Sequence, residues 1–256
     1  MAPMALSQFL QRRVPPNSHP RYSAGHPGMT EKEWATRQQK FAIRSWTVCT
    51  SLNQFFEEPL AAADVNRLTK QVDYEDHQQW CISEGMVEIS FAENIVAPLK
   101  NAFHDSPFVH FANKHPHSGP PPEGARNNGV IDWLFRTIGS DATNPTRWLC
   151  IGDMKGPRII NNRQWAGGDF NTLTGPTVHL MQELKGYAFH YRVPRVFCYD
   201  ADHLVLIRWK SLDLNEAPNV VVIAVGGSNG MQVREAMYRM VCDGLNHEIR
   251  GPRICD

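Results

Sequence analysis

Apolar and polar positions follow two rhythms along this chain. Several short stretches are almost wholly apolar: Val130-Ile-Asp-Trp-Leu-Phe135, Trp148-Leu-Cys-Ile151, Arg195-Val-Phe-Cys-Tyr199, Leu204-Val-Leu-Ile-Arg-Trp209 and Val220-Val-Val-Ile-Ala-Val225. Runs of that kind, bounded by Gly, Pro, Asn or Asp, suit strands buried on both faces. Phe108-Val-His-Phe111 is a further short strand. Other stretches repeat at helical spacing. One begins at Ser83, and its Met86, Ile89, Ile95, Val96 and Leu99 can share a broad apolar side. Pro98 is expected to bend or end it, although the pattern continues to Phe103. Thr174 to His190 is a second, with Val178, Met181, Leu184 and Ala188 on one side. A last helix carries Val233, Met237, Met240 and Val241. Asp200-Ala-Asp-His203 reads as a hairpin turn between two strands. Residues 113–129, with four prolines, read as a long loop, and 157–173 as another.

The first eighty residues differ in character. Residues 1–30 are rich in Pro, Ser, His and Gly and are expected to form a disordered tail. Thr30-Glu-Lys-Glu33 resembles a capping box, which predicts a helix through Trp34, Phe41 and Ile43 to about Phe56. Residues 59–80 continue in a helical vein, with Ala61-Ala-Ala63 and Leu68. The expected organisation is a tail (1–30), a helical extension (31–80) and a main domain (81–256). In the main domain the order is helix, three strands, helix and two strands. That order predicts an α/β or α+β fold, a mixed central sheet flanked by helices.

Composition narrows the functional classes. A 42% apolar and 20% charged chain of 256 residues is ordinary for a globular protein. The formal net charge is zero, so no global field steers the chain to nucleic acid or acidic membranes. Any nucleic-acid contact needs a local basic patch. Six cysteines stand at 49, 81, 150, 198, 242 and 255, with no Cys-x-x-Cys pair. This spacing favours a reducing compartment over a zinc ribbon or a disulfide framework. There is no apolar window of about 18 residues to span a membrane. The expected location is intracellular, cytoplasmic or nuclear. Arg12, Arg13 and Arg21 precede the first acidic residue, Glu31, in the manner of a mitochondrial transit peptide. Pro15, Pro16 and Pro20 argue against the amphipathic helix such a peptide uses.

Chemistry concentrates in Arg147-Trp-Leu-Cys-Ile-Gly-Asp-Met-Lys155. Asp153 and Lys155 lie two apart at the end of a buried strand, so both point to one side. Asp132 begins the preceding strand. If the two strands form an antiparallel hairpin, Asp132 meets Asp153 and Lys155. Two carboxylates at one point suit a divalent cation, and an ammonium beside them can stabilise charge or orient water. An ordinary salt-bridged strand end is the alternative.

Asp132, then Asp153-Met-Lys155, then an amphipathic helix and two strands resembles the PD-(D/E)XK nuclease superfamily, most closely the nuclease-like domains common in fungal proteins. The helix Glu88-Ile-Ser-Phe-Ala-Glu-Asn-Ile-Val-Ala-Pro-Leu99 is similar to the first helix of such domains, with Glu88 as its carboxylate and Glu84 and Glu93 as rival choices. Gln182-Glu-Leu-Lys-Gly-Tyr187 resembles the Gln-bearing helix after the active-site strand. The resemblance spans about residues 83–210. Ile131 stands where a proline precedes the first aspartate of the motif, and Asp153 where glutamate is often found. The resemblance implies a restriction-endonuclease-like core and metal-dependent phosphodiester hydrolysis of DNA or RNA. Asp132, Asp153, the Met154 carbonyl and Glu88 would hold Mg2+ or Mn2+. Lys155 would orient the attacking water, and Gln182 would position Lys155, the water or the phosphate. Lys185, Arg192, Arg158 and Arg163 are phosphate contacts or solvated surface.

Other readings start from other residues. Nuclease-like scaffolds also serve as inactive binding or regulatory modules, since fold does not imply function; the zero net charge leans that way. Val220–Val225 followed by Gly226-Gly-Ser-Asn-Gly230 and a helix could cradle a phosphate. No Gly-Lys-Ser/Thr follows, and a plain tight turn explains it. His104, His110, His115 and His117 suggest a metal, but His115-x-His117 lies in the Pro-rich stretch without a nearby Cys. Trp133, Phe135, Trp148 and Trp209 have the spacing of core residues rather than of base-stacking platforms.

Overall fold

A computed structural model of the protein describes residues 3–17, 43–60, 64–72, 74–75, 77, 80–103, 109–116, 130–139, 146–227 and 230–247. Its frame is a seven-stranded sheet in the spatial order β2-β9-β8-β7-β6-β5-β4. The strands are β2 (Thr47–Val48), β4 (Val109–Pro116), β5 (Val130–Thr137), β6 (Trp148–Met154), β7 (Arg195–Tyr199), β8 (His203–Arg208) and β9 (Asn219–Ala224). A separate antiparallel pair joins β1 (Met4–Ala5) to β3 (Gln71–Val72).

The apolar runs of β7, β8 and β9 are strands covered on both sides. Successive residues go to alternate faces: Phe197, Tyr199, Leu204, Leu206, Val221 and Ile223 enter one core, and Val196, Cys198, Val205, Ile207 and Val220 the other. The helices divide accordingly. α1 (Leu6–Gln11), α2 (Leu52–Phe56), α4 (Glu84–Phe91, continuing as Ala92–Val96 and Ala97–Ala102) and α7 (Val233–Asn246) fill the first core; α3 (Val65–Leu68) lies beside α1. α5 (Asn162–Trp165) and α6 (Pro176–Tyr191) fill the second.

Pairing direction follows the connections. β4, β5 and β6 form an antiparallel meander. β7 lies parallel to β6, and the crossover between them carries α5 and α6. Parallel neighbours need such a crossover. β7, β8 and β9 return to antiparallel pairing. The expected mixed sheet flanked by helices is the observed class. At Gly152 an added Cβ would lie 2.1 Å from the Phe197 ring, so only glycine lets that ring press against β6.

The N-terminal part differs from expectation. Residues 3–17 are not a disordered tail: Leu6, Phe9, Leu10 and Val14 are core residues. The stretch 43–56 is not one helix, because Thr47–Val48 forms a parallel edge strand on β9 before the short α2. Within 59–80 only Val65–Leu68 is helical among the described residues. Propensity gave way there to sheet pairing and tertiary contact. The capping box at residues 30–33 lies outside the described residues.

A buried guanidinium explains the order of the N-terminal stretch. Arg234 of α7 is fully buried against the rings of Phe9 and Tyr74, which meet edge to face at 4.8 Å, its Cζ 4.5 and 4.3 Å from their centroids. Its Nη1 donates to the Arg13 carbonyl at 3.4 Å and its Nε to the Asn94 carbonyl at 3.0 Å. Pro98 does not end α4. It lacks the N–H that would serve the carbonyl four residues back, Asn94, and the helix widens to a π turn over Ala92–Val96. Arg234 supplies a donor to that carbonyl instead. Val87 and Phe91 face inward, whereas Met86 and Ile89 are exposed, so the buried stripe is narrower than expected.

Candidate functional site

The β5–β6 pairing decides where the acidic residues meet. Trp133 lies opposite Gly152 and Leu134 opposite Ile151 in an antiparallel register. Continuing that register brings Asp132 beside Asp153. The Met154 amide donates to Asp132 Oδ2 at 2.7 Å, which ties the start of β5 to the end of β6. The Lys155 amide extends the ladder on the other side by donating to the Tyr199 carbonyl at 3.0 Å. The strand end is therefore held from both neighbours.

Asp153 and Lys155 share the face of Ile151 and look toward α6. The Lys155 ammonium pairs with Asp153 Oδ2 and lies 3.1 Å from Glu183 Oε2. The other Glu183 oxygen accepts from the Tyr187 hydroxyl at 3.0 Å, one helical turn further on. Asp132, Asp153, Lys155 and Glu183 are 6%, 1%, 7% and 2% exposed, a concentration of charge rarely enclosed without function or exact pairing. Burial alone would push the Lys155 ammonium down, but the carboxylates of Asp153 and Glu183 hold it well above the ordinary lysine range. Burial, reinforced by Asp153, pushes the neighbouring Cys198 thiol up.

The expected residues separate into two groups. Asp153 and Met154 end β6, Lys155 follows them, and Asp132 reaches this strand end through the Met154 amide. Gln182 is buried on α6, but the carboxylate that reaches the ammonium is its neighbour Glu183. Glu88 comes from α4, the layer over the other face, where Phe91 stacks on Phe197. Glu88 is half-buried, whereas Glu84 and Glu93 are exposed. Of the proposed phosphate contacts, Lys185 is buried and Arg163 and Arg192 are exposed. Arg158, at φ 67°, is exposed and lies 3.7 Å from Asp202.

Glu183, Tyr187 and Asp200 are the residues that sequence reasoning missed. Glu183 and Tyr187 stand four apart on the inward stripe of α6, beside the Gln182 already singled out; full helical phase would have pointed to them. Asp200 read as a turn residue. Its wholly buried carboxylate accepts from the amides of Ile160 at 2.8 Å, Asp202 at 3.0 Å and His203 at 2.6 Å. It thus pins the segment leaving Lys155 to the β7–β8 turn. Burial pushes the Asp200 carboxyl up to about 7, against the opposing pull of those amides.

Hard carboxylate oxygens from two adjacent strands suit Mg2+ or Mn2+ by donor chemistry. The cation seated there is a stand-in, the Lys155 ammonium between Asp153 and Glu183. Among the described residues no three His, Cys, Asp or Glu side chains gather as a ligand set. His115 falls on β4 and His117 outside the described residues. Trp133, Phe135 and Trp209 are buried in the cores, and Trp148 packs against Tyr191. Among the described residues no helix is long and apolar enough to cross a membrane, and those cysteines are free and buried. Comparison of the chain with protein-family models, curated proteins and solved structures finds no match.

Proposed function

We propose that the β5–β6 cluster is a phosphodiester-hydrolysing site acting on nucleic acid, DNA or RNA, in the manner of a PD-(D/E)XK nuclease. The observation that supports it best is the antiparallel register that ties Asp132 to the Met154 amide while Asp153 and Lys155 share the adjacent face. The order α4, β4, β5, β6, α5, α6, β7, β8 supports this reading, because an amphipathic helix and two strands follow Lys155. Asp132, Asp153 and the Met154 carbonyl would hold Mg2+ or Mn2+; Glu88, on α4 over the opposite face of the sheet, stands outside that set. When bound, the ion supplies a Lewis acid for the phosphoryl oxygens and a more acidic water. Lys155 orients the attacking water. Glu183 and Tyr187 hold the Lys155 ammonium in place, and Gln182 on the same helix contacts phosphate or water. Positioned charges of this sort provide most of the rate in phosphoryl chemistry.

The test is cleavage of end-labelled single- and double-stranded DNA and RNA with Mg2+ or Mn2+. Expected is metal-dependent cleavage by the wild type and loss of at least about a hundredfold in Asp153→Ala and Lys155→Ala, the scale of removing one transition-state contact. Metal-dependent cleavage that survives in both variants would refute the assignment. A second reading rests on the near-complete enclosure of all four charged side chains. It treats the cluster as a permanent salt bridge in an inactive nuclease-like binding or regulatory protein. Absence of cleavage, with unchanged nucleic-acid binding in Asp153→Ala, would favour that reading.

A further inference from the structure

Access of a cation to Asp153 is governed by another group already placed on it, an inference that rests on the metal-dependent reading above. The Lys155 side chain leaves a backbone fixed by the Tyr199 carbonyl and ends in contact with Asp153 Oδ2. A divalent ion binds carboxylate oxygen at about 2.0–2.1 Å. An ammonium and such an ion on one carboxylate repel each other and share its charge, so each weakens the other's hold on Asp153. The ammonium has a second berth within reach, Glu183 Oε2 at 3.1 Å. The Tyr187 hydroxyl holds the other Glu183 oxygen at 3.0 Å, which keeps this berth in position.

We propose that Lys155 is a built-in competitor for the divalent cation, and that Glu183 is the berth to which its ammonium withdraws when Asp153 turns to the metal. Resting protein is then closed by its own side chain, and metal binding is coupled to a small lysine movement rather than to opening of the sheet. Glu183 is a positioning residue here, acting on the ammonium.

Binding of Mn2+ to the full chain, followed by the electron paramagnetic resonance signal of the free ion, tests this without reference to cleavage. Lys155→Met is expected to bind Mn2+ roughly tenfold or more tightly than the wild type, and Glu183→Gln more weakly, as befits one charge at contact range. Lys210→Met is the control for the general field: its exposed ammonium pairs with Glu57 at 2.7 Å, and the affinity is expected to stay within about twofold. If Lys155→Met does not fold, Lys155→Met/Glu183→Gln replaces it, removing the ammonium and one of its carboxylates together. This pair is compared with Glu183→Gln and is expected to bind more tightly. Equal affinities of the wild type and Lys155→Met, or equal gains in Lys155→Met and Lys210→Met, would overturn the competition while leaving the metal site standing. No Mn2+ binding by any of the variants would remove the metal site and the competition together.

Discussion

Replacing Lys155 by Met keeps the length and apolar stem of the side chain and removes only its charge. In the wild type that charge lies 3.1 Å from Glu183 and closer to Asp153, both almost fully enclosed. At about 3 Å and an effective dielectric near 20, one such contact is worth roughly 5 kcal/mol before desolvation. Desolvation of the ammonium offsets much of this, but the substitution leaves two buried carboxylates facing each other, and breaking a buried pair costs about 3–5 kcal/mol. For a chain of this size that corresponds to a fall in Tm of about 6–20 °C. The folded-state pKa of Lys155 is raised, so its stabilisation is complete below the unfolded value of about 10.4 and is lost only as pH rises through the higher folded value. The deficit of Lys155→Met should therefore be full between pH 7 and 9. Urea unfolding at pH 7.5, with thermal melting alongside, measures it. Adding Glu183→Gln to Lys155→Met should recover part of the loss, because one stranded charge is neutralised. A loss below about 1 kcal/mol, within the range of surface pairs, would refute the enclosure of this ion pair. So would a double variant less stable by the sum of the two single losses.

Other outcomes follow from the packing. Gly152→Ala should cost about 1–3 kcal/mol of stability, seen as a lower urea midpoint, because its methyl collides with the Phe197 ring that also stacks on Phe91; an unchanged midpoint would mean the ring gives way freely. Asp200 has a raised folded-state pKa of about 7, so the folded chain holds more protons there than the unfolded chain, and its contribution falls as pH rises from about 4 to 7. Asp200→Asn should thus compare more favourably with the wild type at pH 8 than at pH 5 in urea titrations. A pH-independent difference would contradict a buried, proton-holding carboxyl.

The strands from β5 to β9 were readable because each is an apolar run covered on both faces, where composition alone signals burial. That Asp132 reaches the end of β6 was readable in the same way, since strand parity and one hairpin place it there. Three features resisted reading for distinct physical reasons. Glu183 was overshadowed by Gln182 because its four-residue spacing to Tyr187 marks a shared stripe of α6 but not the strand end that the stripe covers. The first seventeen residues have a composition rich in proline, yet Leu6, Phe9, Leu10 and Val14 find partners on α7 that no local window contains. Met86 and Ile89 fit an apolar stripe by spacing, but in that part of α4 the core takes Val87 and Phe91 instead.

Through Arg234, Phe9, Tyr74 and Asn94 share a single hub, and the proline in α4 leaves the carbonyl that completes it. Regions that are remote along the chain should consequently come apart in one cooperative step rather than peel away in sequence. Replacing Phe9 would then strip one ring from a desolvated cation and loosen the far helix as well.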